Sequence, residues 1–276
     1  MIDKRAMLTL WLTQVSGVSL SSITELRSEH EALEALSREL KPPDLERRSM
    51  ASEWTIAQVF SHLGSGAEIN TSNLRGSLGV DTRIPPDSYP ELWRRWDALP
   101  PTRQVDDFRR WHSELVERFE EIQNSSAPER TVETVMGNMP ASRLAGIRLR
   151  EAALHRWDIA AALDPAAGLR PASGTILLDQ LPEMTSRLAD PGPAENSPVD
   201  SLAIHTTEPD RSLVLTMKDQ PTLTFGHDRH ARATLELSGE SLVLLFYGRL
   251  THPSERTIRE HPPDLIRYLQ SVFKGL

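Results

Sequence analysis

The two side chains in this sequence best suited to chemistry are a glutamate and a histidine four positions apart. On a helix, Glu151 and His155 would project from the same face, about one turn from each other. Apolar residues such as Leu144 share that face, and a carboxylate buried there needs a charged or hydrogen-bonding partner. Pairing with His155, Arg148 or Arg150 would satisfy Glu151, and so would a divalent cation bound by both residues. The spacing alone leaves these two interpretations open.

A third candidate ligand, His62, lies on a separate helical segment. It shares an apolar stripe with Val59 and Ile69, at offsets that place residues on one helix face. A histidine there points into the interior, where it is either a hydrogen-bonded core residue or a ligand. Together with Glu151 and His155 it would supply two nitrogens and one oxygen. That donor set leaves positions for water or substrate in catalytic zinc sites.

Two further residues are candidates for supporting roles. Asp158 follows His155 by three positions and is placed to accept a hydrogen bond from the imidazole of a metal ligand. A surface ion pair with Arg156 or Arg94 is the alternative. His112 lies on the inward stripe of another helix, where core packing or a hydrogen bond to substrate is favoured over ligation.

Arginines are the candidates for holding an anionic group of a substrate, because guanidinium binds carboxylates bidentately. Arg249 closes a Tyr-Gly-Arg segment, and Arg94 lies in a tryptophan-rich stretch. A salt bridge between domains is the alternative role for Arg249. His227, Asp228 and His230 lie close together, but we interpret them as a solvated turn rather than a metal site.

Helical periodicity dominates the first part of the chain. Capping-box sequences begin at Ser22 and Thr55; in this motif a hydroxyl and a carboxyl or amide side chain three positions later satisfy free backbone amides. Apolar residues then recur at helical spacing, and prolines separate the segments. Four major helices are predicted, beginning near residues 22, 55, 101 and 140. Their number and connections indicate a four-helix bundle.

From residue 165 onward the pattern changes to short β-like runs. Strands are predicted at residues 202–206, 212–217, 222–225 and 233–237, and helices at 241–249 and 264–273. The fold class is therefore α+β, with a helical bundle followed by a small α+β domain. The predicted domains are an N-terminal extension at residues 1–20, the bundle at 21–167 and the α+β domain at 168–276.

The composition narrows the possible partners. Asp and Glu outnumber Lys and Arg by 39 to 31, and the net charge of −8 disfavours nucleic acid. No segment reaches the ~18–20 apolar residues of a membrane span, and the apolar run at residues 6–12 is short and lacks a signal-peptide cleavage pattern. We therefore expect a cytoplasmic protein without a membrane partner. Cysteine is absent, so thiol chemistry would need a thiol from outside the chain.

Several segments together resemble the mycothiol-dependent maleylpyruvate isomerase family. They include Trp54-Thr55 and His62-Leu63 within residues 50–65, the run Glu151 through Asp158, Leu163-Asp164-Pro165, and Leu242 through Arg249. The resemblance covers residues 21–276 and leaves the first twenty as an extension. It implies a DinB-like four-helix bundle, a C-terminal domain similar to sterol-carrier proteins, and a metal site formed by His62, Glu151 and His155.

The resemblance also implies a co-substrate and a reaction class. Family members use mycothiol, the low-molecular-weight thiol of actinobacteria, and a zinc-like cation lowers the pKa of a coordinated thiol. The sequence interpretation is an enzyme with one divalent metal, zinc being preferred, that activates mycothiol against an electrophilic small molecule. S-transfer, conjugation or thiol exchange is favoured, because nothing in the sequence marks a dicarboxylate substrate. A maleylpyruvate-type cis-trans isomerase and a non-catalytic thiol or metabolite binding module are the alternatives. The electrophile, the physiological metal and the oligomeric state stay open.

Overall fold

The protein is described here by a computed structural model. It covers residues 4–51, 53–80, 83–195, 197, 199–217, 220–228, 230–250 and 257–275, with side chains described from residue 22 onward except at 195, 257 and 258. The chain divides into two compact units between Gly168 and Leu169; the boundary predicted from the sequence lies at 167/168. Among the described helices, none combines the length and apolar character needed to cross a membrane.

The first unit is built on four long helices. They are α1 (Lys4–Glu39), α3 (Ile56–Ser77), α5 (Pro101–Gln123) and α6 (Ala141–Leu163), with the shorter α2 (Pro42–Leu45) and α4 (Tyr89–Asp97) between them. Helix α3 packs along α5 and α1 along α6, while α1 also contacts α5 and α3 contacts α6. The stripes that predicted these helices form the core, in which Leu33, Phe60, Phe108 and Leu149 are fully buried. The predicted bundle is therefore confirmed.

Helix α1 begins earlier than its sequence pattern predicts. The structure continues it from Lys4 through Ser22, so the capping box at Ser22 does not start a helix. The predicted boundary between an extension and the bundle at residue 20 therefore coincides with no break in secondary structure.

The start of α3 follows its sequence signal. The Thr55 hydroxyl accepts from the Gln58 backbone amide at 3.2 Å, and the Gln58 side chain accepts from the Thr55 amide at 2.9 Å. This reciprocal pair confirms the predicted capping box. It fixes the first turn of the helix, and His62 follows two turns later.

A short hairpin leads into α6. Its strands β1 (Thr131–Thr134) and β2 (Gly137–Pro140) pair antiparallel. The sequence interpretation missed this hairpin, because four-residue strands carry too few residues to show a period of two. The hairpin delivers the chain directly to Ala141, where α6 begins.

The second unit contains a five-stranded sheet with helices. Its strand order is β5-β4-β3-β6-β7; β3 and β6 are parallel and the other neighbours antiparallel. The elements are α7 (Pro171–Leu188), α8 (Pro191–Glu195), β3 (Ser201–Thr207), β4 (Asp210–Thr216), β5 (Thr222–Phe225), β6 (Ala233–Leu237), α9 (Gly239–Phe246), β7 (Thr257–His261) and α10 (Leu265–Val272). The α+β fold class is confirmed, although α7, α8 and β7 were not predicted. The predicted helix 241–249 begins at Gly239 and ends at Phe246.

A pair of stacked imidazoles lies inside the bundle. His112 is fully buried, and its Nδ1 is 3.1 Å from Nδ1 of His30. One ring must donate and the other accept, so the pair needs at least one neutral histidine. Burial lowers the pKa of both rings, and the charges of His30 and Arg148 lower that of His112 further. His112 is therefore neutral in the folded protein near neutral pH.

Replacing His112 by Gln is expected to flatten the acid dependence of stability. The unfolded chain binds a proton near the free-histidine pKa of about 6.5, which the folded protein excludes at that pH. Below the free-histidine pKa, the free energy of unfolding of the wild type therefore decreases as the pH is lowered. The decrease is at most about 1.4 kcal/mol per pH unit for one histidine. Denaturant unfolding with chelator present, between about pH 7 and 5, measures this slope. His205→Gln, at an exposed position, is the control. Equal slopes in all three proteins would contradict the expectation.

Candidate metal centre

The structure brings the three candidate ligands together between α3 and α6. The His62 Nε2–H donates to Glu151 Oε2 at 2.9 Å, and the same oxygen is 3.8 Å from His155 Nε2. One ligand atom from each residue lies within 4.8 Å of the others. His62 and Glu151 are half-buried, whereas His155 is buried. We refer to these three residues as the triad.

A buried aspartate orients one of the imidazoles. His155 Nδ1–H donates to Asp158 Oδ2 at 2.8 Å, and Asp158 is fully buried. This bond holds the proton on Nδ1 and leaves the Nε2 lone pair facing Glu151. The backbone carbonyl of Asp158 also accepts from the Met50 amide at 3.0 Å. The surface ion pair considered for Asp158 is wrong, because the residue is buried and Arg156 instead contacts Glu29.

The indole of Trp54 lies against both histidines of the triad. Its ring centroid is 4.8 Å from that of His62 and 5.8 Å from that of His155. The Trp54 amide donates to Ala51 O at 2.8 Å, which fixes the loop that precedes α3. The sequence interpretation assigned Trp54 no role at the site. Its position directly before the N-cap of the helix that carries His62 is the signal that could have found it.

The charges around the triad keep the glutamate ionised. Burial alone would raise the pKa of Glu151, but the hydrogen bond from His62 and the charges of His155 and Arg148 bring it far below its usual value. Burial lowers the pKa of His62, against the opposing effect of the bond to Glu151. The triad therefore offers a carboxylate and a neutral imidazole near neutral pH.

This donor set fits a divalent cation. Two imidazole nitrogens and one carboxylate oxygen are the ligands of catalytic zinc sites, which keep a further position for water or substrate. The proton that His62 shares with Glu151 occupies the space between two ligand atoms, and a metal ion would displace it. The Asp158–His155 bond is the outer contact that such sites use to fix the ligand tautomer. Zinc is one of several ions that this set accommodates.

Within the first unit, the other two predicted site residues, His112 and Arg94, do not join the triad. His112 contacts His30 rather than a triad residue. Arg94 is exposed on α4, and within the described part of the chain no hydrogen bond or ion pair joins it to the triad. Arg249 lies in the second unit, where its Nη1 donates to Tyr247 O at 3.0 Å. Their roles in binding substrate or thiol stay predictions.

Replacing Asp158 by Asn is expected to weaken metal binding by about 10- to 100-fold. The neutral amide accepts more weakly than the carboxylate and can also present its NH2 to Nδ1, so the Nε2 lone pair of His155 is held less firmly toward the site. Competition with a chromogenic chelator measures the affinity. Asp106→Asn, which changes an exposed acid on α5, is the matched control. An unchanged affinity in the Asp158 variant would show that the contact does not orient the ligand.

The helical bundle presents two histidines and a glutamate from two packed helices, a group that could hold a metal ion. Residues 26–160 match the family model described as the mycothiol maleylpyruvate isomerase N-terminal domain. The triad, Trp54 and Asp158 all lie within the matched range. The resemblance inferred from the sequence is therefore confirmed.

Two solved structures are similar in fold. Both are of a mycothiol-dependent maleylpyruvate isomerase, one of them a variant with a histidine replaced by alanine. Each has a TM-score of 0.61 and 17% sequence identity, and the match covers 88% of this chain and 92% of the other. At this identity the likeness establishes the fold alone. A search of curated proteins finds no match.

Proposed function

We propose that this protein is a metal-dependent, mycothiol-using isomerase that acts on a maleylpyruvate-type substrate. The observation that carries the proposal is the triad, whose ligand atoms lie within 4.8 Å of one another inside a domain of the isomerase family. The sequence interpretation favoured S-transfer. The comparisons support the isomerase alternative better, because the matching family and the two similar structures are all named as maleylpyruvate isomerases.

The side chains of the site have distinct roles in this proposal. His62, Glu151 and His155 would hold the cation, which would lower the pKa of the mycothiol thiol and so supply a thiolate at neutral pH. Asp158 keeps His155 in the tautomer that leaves its Nε2 free to bind. Trp54 covers the imidazoles on one side and limits the access of water there.

The isomerisation leaves the thiol unchanged. The thiol sulfur adds to one carbon of a conjugated cis double bond, the former double bond rotates as a single bond, and elimination restores the double bond in the trans form. The sulfur and its proton are returned, so mycothiol is needed for turnover but is not consumed. An S-transferase would instead form a lasting carbon–sulfur bond and consume one thiol for each substrate.

The experiment follows both reactants at once. Purified protein is incubated with maleylpyruvate and mycothiol, proton NMR resolves the cis and trans products, and a thiol assay measures mycothiol. We expect the trans isomer to accumulate while the thiol concentration stays constant. A conjugate formed at the expense of thiol would replace the proposal by S-transfer. Saturable mycothiol binding without turnover of maleylpyruvate or of other electrophiles would replace it by a binding module.

A further inference from the structure

A buried arginine lies one turn from the triad along α6. Arg148 precedes Glu151 by three positions and His155 by seven, which places all three on one face of the helix. Only 6% of Arg148 is exposed. The guanidinium lies against α3 at Gly66, four positions after His62. A Cβ added to Gly66 would be 3.0 Å from Nη1 and 3.2 Å from Nη2, so the glycine makes room for the arginine head group.

One edge of this guanidinium has no partner. Nε and Nη2 of Arg148 are both buried, and within the described part of the chain neither donates a hydrogen bond. These two atoms form the edge that binds a carboxylate through two parallel hydrogen bonds. The closest acidic residue on the helix face is Glu151, whose Oε2 accepts from His62. No ion pair within the described residues includes Arg148.

An unpaired buried cation is unfavourable for stability. Burial lowers the pKa of Arg148, yet an arginine side chain stays protonated, so the charge is desolvated without a contacting carboxylate. A buried charge without a partner costs several kcal/mol. A hydrophobic side chain of similar length would avoid this cost. The arrangement is therefore better explained by a ligand that supplies the missing anion than by a contribution to folding.

We propose that Arg148 is the binding site for an anionic group, a carboxylate or similar oxyanion, of the electrophilic substrate that reacts at the triad. This inference rests on the proposed function for the identity of the reacting molecule. An anion on the Nε–Nη2 edge would anchor the substrate one helical turn from the metal ligands. Because both atoms are closed to solvent, binding requires the guanidinium to shift from its position against Gly66.

Acetate is the probe for this site, and acetamide is its uncharged counterpart. Binding is measured by titration calorimetry at constant ionic strength on the full-length protein, both as purified and after metal has been removed with a chelator. The chelated sample shows how much acetate binding does not depend on metal. We expect the wild type to bind acetate in preference to acetamide. Arg148→Met should lower the acetate affinity by about 10- to 100-fold, the range for a lost hydrogen bond to a charged group. Arg143→Met, which removes an exposed charge from the same helix, should leave the affinity unchanged.

The stability of the Arg148 variant separates binding from a structural role. If Arg148 serves binding, Arg148→Met is as stable as the wild type or more stable, because an unpaired buried charge has been removed. Arg148→Lys should fold and recover only part of the affinity, because lysine lacks the bidentate edge. A wild type without preference for acetate, or an Arg148→Met protein that keeps the preference, would overturn the proposal.

The two proposals fail separately. If the wild type isomerises maleylpyruvate with mycothiol but shows no preference for acetate, only the Arg148 proposal is wrong. If acetate binding depends on Arg148 but the protein does not isomerise maleylpyruvate, the anion-site proposal stands and the isomerase proposal is wrong.

Discussion

Alanine in place of His155 is expected to remove stoichiometric metal and all mycothiol-dependent turnover. The substitution leaves His62 and Glu151, which hydrogen-bond to each other at 2.9 Å and can satisfy each other without metal. It also leaves Asp158 buried without the imidazole that donates to it. We expect a loss in metal affinity of about 1,000-fold or more, the equivalent of about 4 kcal/mol.

Elemental analysis of the purified proteins and a mycothiol-dependent assay measure the two losses. Because His155 is buried, its truncation also removes packing, so His62→Ala at the half-buried position is made in parallel. That variant should lose metal and turnover equally while keeping the far-UV circular dichroism of the wild type. His205→Ala, at an exposed position, is the control for loss of a histidine. A wild type that is metal-free and fully active would refute the metal-dependent mechanism.

The bundle and the triad were predictable because both depend on local spacing. A stripe of apolar residues three and four apart identifies a helix and its buried face, as in α5. The same rule places Glu151 and His155 on one face before any tertiary contact is known. Placing His62 beside these two residues required the further assumption that the inward faces of two helices meet. The family resemblance supplied that assumption.

The missed features depend on context that local patterns do not contain. The Ser22 capping box is a valid helix start, but the segment before it contains no proline to interrupt a helix, and α1 runs through it. Helix α7 contains Pro182, which favours a break, yet its buried leucines hold it together. Strand β7 depends on its pairing with β6 rather than on a clear alternation of its own.

The sequence places Trp54 and Arg148 close to triad residues, but their contacts depend on the folded structure. Each lies beside residues that were identified, but its role depends on which groups surround it in the folded bundle. Arg148 looks like any other helical arginine in the sequence, and only burial with an unpartnered guanidinium edge distinguishes it. Sequence position therefore places both residues near the triad without showing what they contact.

Turnover is expected to rise from acid pH to a plateau near neutrality, and the acid limb should follow the loss of metal. As the proposed metal ligands, His62 and His155 would bind the cation only as neutral imidazoles, so protons would compete with it at both. Burial holds the pKa of His62 below 6.5, and metal loss therefore begins below the free-histidine value. Glu151 stays ionised, because its neighbours hold its pKa far below the usual range.

The lowered pKa values of His62 and Glu151 limit how steeply metal affinity can fall along the acid limb. Each histidine that exchanges metal for a proton contributes a factor of about ten per pH unit to the apparent dissociation constant. Two histidines give at most about 100-fold per unit. A third proton on Glu151 is not expected along this limb, since the hydrogen bond from His62 and the neighbouring charges hold the pKa of that carboxylate far below the ordinary glutamate value. A steeper dependence would show that Glu151 also titrates, against the electrostatics of the site.

The pH–rate profile is measured with and without chelator and with added zinc. Excess zinc should move the acid limb to lower pH, because mass action offsets the proton competition. Chelator should abolish turnover across the whole range, and metal released into the filtrate should increase along the acid limb. If His62 and Glu151 simply form an ion pair without metal, chelator leaves the profile unchanged. An acid limb that responds neither to chelator nor to added zinc would exclude the triad as a catalytic metal site.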